Sequence, residues 1–462
     1  MHYAIAVQVM NTTYITSHSN PRYASYRRAA LVAAMLTGWL SASAPCTAQP
    51  KSAELPRVTQ VCLVAPDILA ITVETGKVSR FPAENYSPQP GDSIVLRDNG
   101  HTSILKRSGT DVGELLGEGA KRQLIRFWIY SGDALDTKAA DNPGTFTISS
   151  SDDPAYRAGV HPDDVHRKSK PTDWMPGAPV LPTRHVLFLH VPAALKEGAS
   201  YKIDCGGLII DTPRITFINN SRNIRSLAVH TSQIGYRADD PFKRGYLSIW
   251  LGPSSSSGKN GTCSYPAGLK FELLDDATGK AVYSGTVEMA KRAVDKELMF
   301  RDMNFNGTDV LRMDFSSFSK PGRYRLHVDG IGCGYPFEIG PNTWSNAFRI
   351  QMRGFYNQRS GIALGPPYTP FVKPRDHHPD DGVPIFQSNW ASPIWSDEPE
   401  GDVGKGLKSK ATTERATNGW GGYMDAGDWN PRRVSHMKAT LAQLEIADLF
   451  PEYVTKLRYL YT

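Results

Sequence analysis

Residues 319–328 read Ser-Lys-Pro-Gly-Arg-Tyr-Arg-Leu-His-Val. Pro321-Gly322 is turn chemistry: proline fixes φ and glycine accepts backbone conformations closed to other residues. The run from Arg323 to Val328 that follows reads as a strand. The same grammar repeats on both sides. Ser226–His230, Gly245–Trp250, Leu269–Leu274 and Ala281–Val287 read as strands, and Asp275-Asp-Ala-Thr-Gly-Lys280 is turn chemistry joining two of them. Downstream, Tyr335–Ile339 closes the unit.

Short strands at regular spacing with turn signals between them predict an immunoglobulin-like sandwich over residues 226–340. Residues 55–212 also read as β, with strands at Val61–Val64, Ile68–Val73 and His185–Val191. Asp92–Arg97 and His101–Lys106 flank Asp98-Asn99-Gly100, the pattern of a hairpin with a tight turn that tolerates positive φ. The stretch from Asp133 to Pro182 is rich in Pro, Asp and Ser and is expected to be loop or insertion rather than core. This region reads as a β-sandwich of unassigned role.

With 462 residues the chain has length for about three domains. A net charge of +6 without a concentrated basic patch argues against nucleic acid. Residues 1–48 hold Arg27-Arg28, the apolar run Ala29–Ala44 and small residues at its exit, which is the layout of a secretory signal peptide. The run is shorter than the ~20 residues of a membrane span, so no stable membrane association is expected after cleavage, and the product is expected to be secreted or periplasmic. Pro45 stands directly before Cys46 and no lipobox-like Leu precedes it, which argues against lipidation. Cys62, Cys205, Cys263 and Cys333 would remain; Cys62–Cys205 and Cys263–Cys333 are the natural disulfide pairs, and four buried thiols are the alternative.

After Pro341 the period changes. Trp344, Phe348, Met352, Phe355 and Tyr356 recur at helical spacing, which makes Trp344 a core residue. Val434, Met437, Leu441, Leu444 and Ala447 form a second stripe, with His436 at its border as a structural histidine. Before this helix stands Gly421-Gly-Tyr-Met-Asp-Ala-Gly-Asp-Trp429. The spacing of Asp425 and Asp428 is too local to place one carboxyl group on each side of a glycosidic bond, but it can aim two carboxylates at one water. On spacing alone, Asp428 as an N-cap is the competing reading. Trp390, Trp395, Trp420 and Trp429 lie in loop-like sequence around the motif, where flat aromatic faces suit sugar rings and partial burial is the plain alternative. Asp376-His-His-Pro-Asp-Asp381 carries side chains that could bind a structural metal ion or belong to a solvated loop. Neither a Gly-x-Ser-x-Gly elbow nor a phosphate loop is present.

Thr231-Ser-Gln-Ile-Gly-Tyr236, Met313–Leu326 and Tyr335-Pro-Phe-Glu-Ile-Gly340 together resemble the N-terminal immunoglobulin-like domain of cellulases. The helix after Pro341 and the motif at 421–428 resemble the opening of a glycoside hydrolase family 9 catalytic domain. The resemblance covers roughly residues 226–462 and leaves 55–212 outside. It implies a multidomain chain whose residues 341–462 begin an all-α six-hairpin toroid. It also implies an inverting hydrolase acting on a polysaccharide or oligosaccharide, most plausibly β-1,4-glucan, with no cofactor required. Asp428 would be the general base, Asp425 its partner on the same water, and His378, Asp380 and Asp381 sugar contacts. An exo-glucosaminidase of the same family, or a non-catalytic carbohydrate-binding or surface protein, are the competing functions.

The family's general acid is a glutamate far downstream, whereas the glutamates after Asp428 here are Glu445 and Glu452. A helix rises ~1.5 Å per residue, so Glu445 would stand ~25 Å from Asp428, beyond the acid–base separation. The 462 residues alone are therefore expected not to hydrolyse glycans, and to leave the stripes Trp344–Tyr356 and Val434–Ala447 facing water.

Overall fold

The computed structural model describes residues 54–97, 102–116, 122–175, 180–266, 268–297, 302–382, 385–388, 410–424 and 435–457. The segment read as a signal peptide and the Asp98–Gly100 turn lie outside these residues.

The first sheet contains β1 (Arg57–Ala65), β2 (Ile68–Thr75), β11 (Asp164–Pro171) and β12 (Thr183–His190), antiparallel in the order β1-β2-β12-β11. Side chains alternate across a strand, and here both sides of the alternation are apolar. Leu63, Leu69, Ile71, Val73, Leu187 and Leu189 enter one core, with β10 (Thr147–Ser149), β13 (Ser200–Asp204) and β14 (Arg214–Ile218) forming the facing sheet. Cys62, Val64, Ala70 and Phe188 point the other way, into a second core. A small ladder of β3 (Lys77–Ser79) and β9 (Ile129–Ser131) flanks a five-stranded sheet with its own minor core of Leu105, Leu115 and Leu124. Its strands are β4 (Glu84–Asn85), β5 (Asp92–Arg97), β6 (Thr102–Arg107), β7 (Thr110–Leu116) and β8 (Gln123–Arg126), and β5 pairs β6 as the hairpin pattern predicts.

The expectation of a structureless stretch from Asp133 to Pro182 is corrected. It holds β10, β11 and the short helix α1 (Thr137–Ala140), and Phe146, Ile148, Tyr156 and Val165 are fully buried. The polar residues that suggested loop are caps: Asp136 accepts from the amides of Lys138 and Ala139, Asn142 from Gly144, and Asp153 from Ala155.

The second core is enclosed by β15 (Val229–His230), β16 (Arg244–Leu247), β19 (Lys270–Asp275), β20 (Ala281–Lys291), β21 (Val310–Asp314), β22 (Gly322–Val328), β23 (Gly332–Cys333) and β24 (Phe337–Ile339). The hairpin β17 (Trp250–Pro253) and β18 (Asn260–Thr262) lies beside it. β20 pairs β19 through its first half and β21 through its second, so the ladder folds over onto itself as a sandwich requires. In β22, Tyr324, Leu326 and Val328 enter this core while Arg323 and Arg325 bind Asp276. Asp275 Oδ1 accepts from the Thr278 amide and hydroxyl, and Gly279 has φ +67°, which builds the predicted β19–β20 turn.

The proposed disulfides do not form: Cys62, Cys205, Cys263 and Cys333 are free and buried. Cys62 and Cys205 belong to different cores, and the Cys333 thiol donates to the backbone carbonyls of Ser221 and Arg222.

α2 (Thr343–Asn357) follows β24, and Thr343 Oγ1 donates to the carbonyls of Tyr236 and Gly340 at its start. A short ladder joins β25 (Phe386–Ser388) to β26 (Ala411–Arg415), and α3 (Ser435–Leu449) and α4 (Pro451–Lys456) end the described chain. Trp344 is not core: it is 52% exposed, as are Met437 (64%), Leu441 (55%) and Leu444 (59%) on α3. Further along α2 the stripe is partly covered: Phe348 meets Tyr453 of α4 edge-on at 5.9 Å, Phe355 meets Tyr423, and Tyr356 is buried against Tyr368. No described helix is long and apolar enough to cross a membrane.

Candidate functional site

The end of α2 turns directly into a local pairing with the segment before Asp425. The Ser360 amide donates to the Gly422 carbonyl (3.0 Å) and the Met424 amide to the Gln358 carbonyl (2.6 Å), with Arg359 bridged to Tyr423. Three glycines make this approach feasible: Gly361, Gly421 and Gly422 have φ of +77°, +92° and +80°, in the left-handed region that disfavours a Cβ. At Gly361 a Cβ would come within 2.6 Å of the Trp420 ring, so the missing side chain is what lets the indole lie down there.

Trp420, 44% exposed, then meets the buried ring of His378 with centroids 4.1 Å apart. His378 caps the short turn Pro379–Asp381, its Nδ1 accepting from the Asp380 amide at 3.2 Å. The Asp380 carboxylate stands 3.5 Å from the same nitrogen. Asp380 is largely exposed, whereas Asp381 is held by two 2.8 Å hydrogen bonds from Arg375.

Beneath this surface lies a pair that the sequence did not single out. The nearly buried Lys373 donates to Asp376 Oδ2 (2.8 Å) and to the Arg359 carbonyl (3.0 Å), and Asp376 Oδ1 accepts from the Gly361 amide (3.1 Å). Burial works to raise the Asp376 pKa, but the Lys373 ammonium and the Gly361 amide prevail and hold it below the ordinary carboxylate range. This ion pair ties the turn at Gly361 to the His378 loop. Lys373 stands in ordinary Val-Lys-Pro sequence, and no local signal marks it as buried. Tyr423 adds an anchor to α3 through Gln443.

Of the residues predicted to act on substrate, the structure brings together Trp420, His378 and Asp380, and assigns Asp381 to Arg375. Asp425, Asp428, Trp390, Trp395 and Trp429 lie outside the described residues, as does the side chain of His436. Among the described residues no group of three or more His, Cys, Asp or Glu side chains is placed to hold a metal ion. The described part of the site thus presents an exposed indole beside an imidazole and an exposed carboxylate, a combination suited to a ligand with apolar faces and polar edges.

Residues 225–333 match the sequence profile of the family described as "Cellulase N-terminal ig-like domain". The chain is 26% identical over 187 residues to the xyloglucan-specific endo-β-1,4-glucanase BoGH9A of Bacteroides ovatus, covering 40% of this chain and 27% of that protein. It therefore spans about a quarter of the length of the curated relative it matches. Among solved structures, a metagenome-derived glycoside hydrolase family 9 endoglucanase aligns at 24% identity and TM-score 0.34, covering 48% of this chain and 34% of that one. A structure described as "Bacteroides ovatus GH9" aligns at 24% identity and TM-score 0.29, covering 44% and 28%. Over part of its length the chain is similar to these family 9 glycoside hydrolases. Residues 225–333, which hold most of the immunoglobulin-like sandwich, are the part that matches the cellulase N-terminal domain.

Proposed function

We propose that this protein belongs to an exported, inverting glycoside hydrolase of β-1,4-glucans, with α2 and α3 as early helices of an α/α toroid. The carrying observation is the contact of His378 with Trp420, which stands just before the Asp425–Asp428 pair in sequence and is seated by the Gly361 turn. The B. ovatus relative, by its name an endo-β-1,4-glucanase on xyloglucan, supports the same substrate class. In this reading a glucosyl ring lies on Trp420, Asp428 takes a proton from the attacking water, and Asp425 holds that water in line. A carboxylic acid ~6.5–9.5 Å away protonates the leaving oxygen.

Binding of xyloglucan and of hydroxyethylcellulose, measured by affinity electrophoresis, tests the reading. Trp420→Ala is expected to weaken retention at least about tenfold, and Asp428→Asn to leave it nearly unchanged, because the amide keeps the shape of the carboxylate. Absence of retention by either glucan, or retention indifferent to Trp420→Ala, would overturn the proposal. Any reducing-sugar release must disappear in Asp428→Asn; turnover surviving that change assigns the chemistry elsewhere.

A further inference from the structure

A second concave surface lies in the immunoglobulin-like sandwich and shares no residue with the Trp420–His378 site. β15 and β16 pair with His230 opposite Tyr246, and β16 pairs β21 with Arg244 opposite Asp314. Strand alternation sends Leu247 and Met313 into the core and leaves Arg244 and Tyr246 on the outer face. Together with Phe242, Thr231, Ser232 and the Tyr236 floor, these residues line an open cavity of about 450 Å³. That size lies within the range of small-ligand sites.

The polar inventory of the cavity defines the ligand. Arg244 is committed to Asp314 (3.0 Å), and Lys243, next to it in sequence, spends its ammonium on the carbonyls of Ala238 and Asp240. No uncompensated charge is left on the lining to draw an anion. His230 stands exposed at the rim, with partial desolvation lowering its pKa, and its Nε2 meets the Ser248 carbonyl, which places a proton on that nitrogen and leaves Nδ1 for a ligand. Thr231 Oγ1 is withdrawn from solvent and has no hydrogen-bond partner in the fold, a state that is costly unless something fills it. Phe242 and Tyr246 are 66% and 40% exposed, and the Arg244 guanidinium steadies the Phe242 ring from 4.7 Å. Two part-exposed rings, hydroxyl and imidazole groups, and one orphaned hydroxyl together match a neutral, hydroxyl-rich sugar rather than an ion or a purely apolar ligand.

We infer that this cavity is a saccharide-binding site that lets the immunoglobulin-like sandwich hold a stretch of glucan independently of the Trp420 surface. Phe242 and Tyr246 receive the C–H face of a sugar ring, and Thr231, Ser232 and His230 pair with its hydroxyls. The test is calorimetric titration with cellotetraose and with a sulfated cello-oligosaccharide, in the Trp420→Ala chain so that the two sites separate. Cellotetraose is expected to bind that chain, with affinity reduced at least about tenfold by Phe242→Ala or Tyr246→Ala and measurably by Thr231→Val. Circular dichroism and an unchanged melting midpoint establish that each variant is folded. Thr231→Val alone, which only removes the orphaned hydroxyl, should leave the fold at least as stable as before. Undetectable cellotetraose binding in folded Trp420→Ala chain, binding indifferent to all three substitutions, or preference for the sulfated sugar would each overturn the inference. The Trp420 reading is tested separately in the converse chain, Phe242→Ala, where the loss of glucan retention on adding Trp420→Ala reports that surface alone.

Discussion

Replacing Gly361 by alanine tests the construction of the Trp420 surface with a single methyl group. Two costs follow from the structure. The left-handed backbone at φ +77° costs a non-glycine residue about 1–2 kcal/mol. The new Cβ would stand 2.6 Å from Trp420 Cε3 and 3.2 Å from the Gly421 nitrogen, so the indole must retreat by roughly 1 Å and lose its seat on His378; overpacking of this kind costs about 1–3 kcal/mol. The sum, ~2–5 kcal/mol, falls on a local unit rather than on the β cores. Hydrogen exchange read by mass spectrometry resolves it, because the Ser360 and Met424 amides close the pairing between residues 358–361 and 420–424. At about 1.4 kcal/mol per decade, protection of those amides should fall about 30-fold or more, up to whatever protection they have, and glucan retention should fall with it. Gly354→Ala is the control: Gly354 lies within α2 with nothing within 4 Å of its missing Cβ, so alanine there should stabilise by about 0.5–1 kcal/mol. Unchanged exchange at Ser360 and Met424 in Gly361→Ala would refute the reasoning.

Burial pushes the thiol of Cys62 up to about 12 and that of Cys333 up to about 11, so native protein at pH 8 should not react with a disulfide reagent such as Ellman's until it is unfolded. Because these folded pKa values are raised, their stabilising effect is complete below the unfolded value near 9 and is lost as pH rises through the folded ones; prompt labelling of native protein would contradict the buried placement. His185, His190 and His327 have depressed pKa values, burial being the leading cause in each, so they stabilise the fold above their ordinary value of 6.5 and the benefit is lost as pH falls toward their folded values. Melting midpoints should therefore decline from pH 7 to 5, and a His327→Gln variant should show a shallower decline. Phe188→Ala, at a fully buried position of β12, should cost about 3–5 kcal/mol and lower the unfolding midpoint of the immunoglobulin-like strands along with its own sheet; separate transitions, with only one shifted, would contradict a common core.

Strand positions were readable where burial on one side imposes a period. β22, β19 and β12 follow from Arg323–Val328, Leu269–Leu274 and His185–Val191 because the residues that enter a core carry the signal themselves. Residues 133–182 misled because capping and turn residues crowd the segment, while Phe146, Ile148, Tyr156 and Val165, scattered among them, are fully buried. Only tertiary contact shows that. Trp344 misled in the opposite direction: helical spacing identifies a face but cannot say whether anything covers it. At the site, the aromatic and acidic residue types were visible in sequence, but the closeness of Trp420 to His378 depends on a turn at Gly361 some sixty residues earlier, which no local pattern links to position 420. The Lys373–Asp376 pair was equally invisible, since a lysine's burial depends on what folds over it.

The sheet β1-β2-β12-β11 is a party wall. Leu69 and Ile71 furnish one room and Ala70 and Phe188 the other, so neither room has a wall of its own. A chain cut between Asn220 and Ser226 would open both, stripping one side from the core that Leu247, Phe271 and Leu326 fill. It would also break the backbone link from the Leu63 amide to the Arg225 carbonyl. The immunoglobulin-like sandwich of this protein is therefore not portable in the way a bead on a string is. Grafted onto another catalytic module without residues 55–212, it should expose a greasy face and precipitate; carried together with them, it should travel as a single folded block.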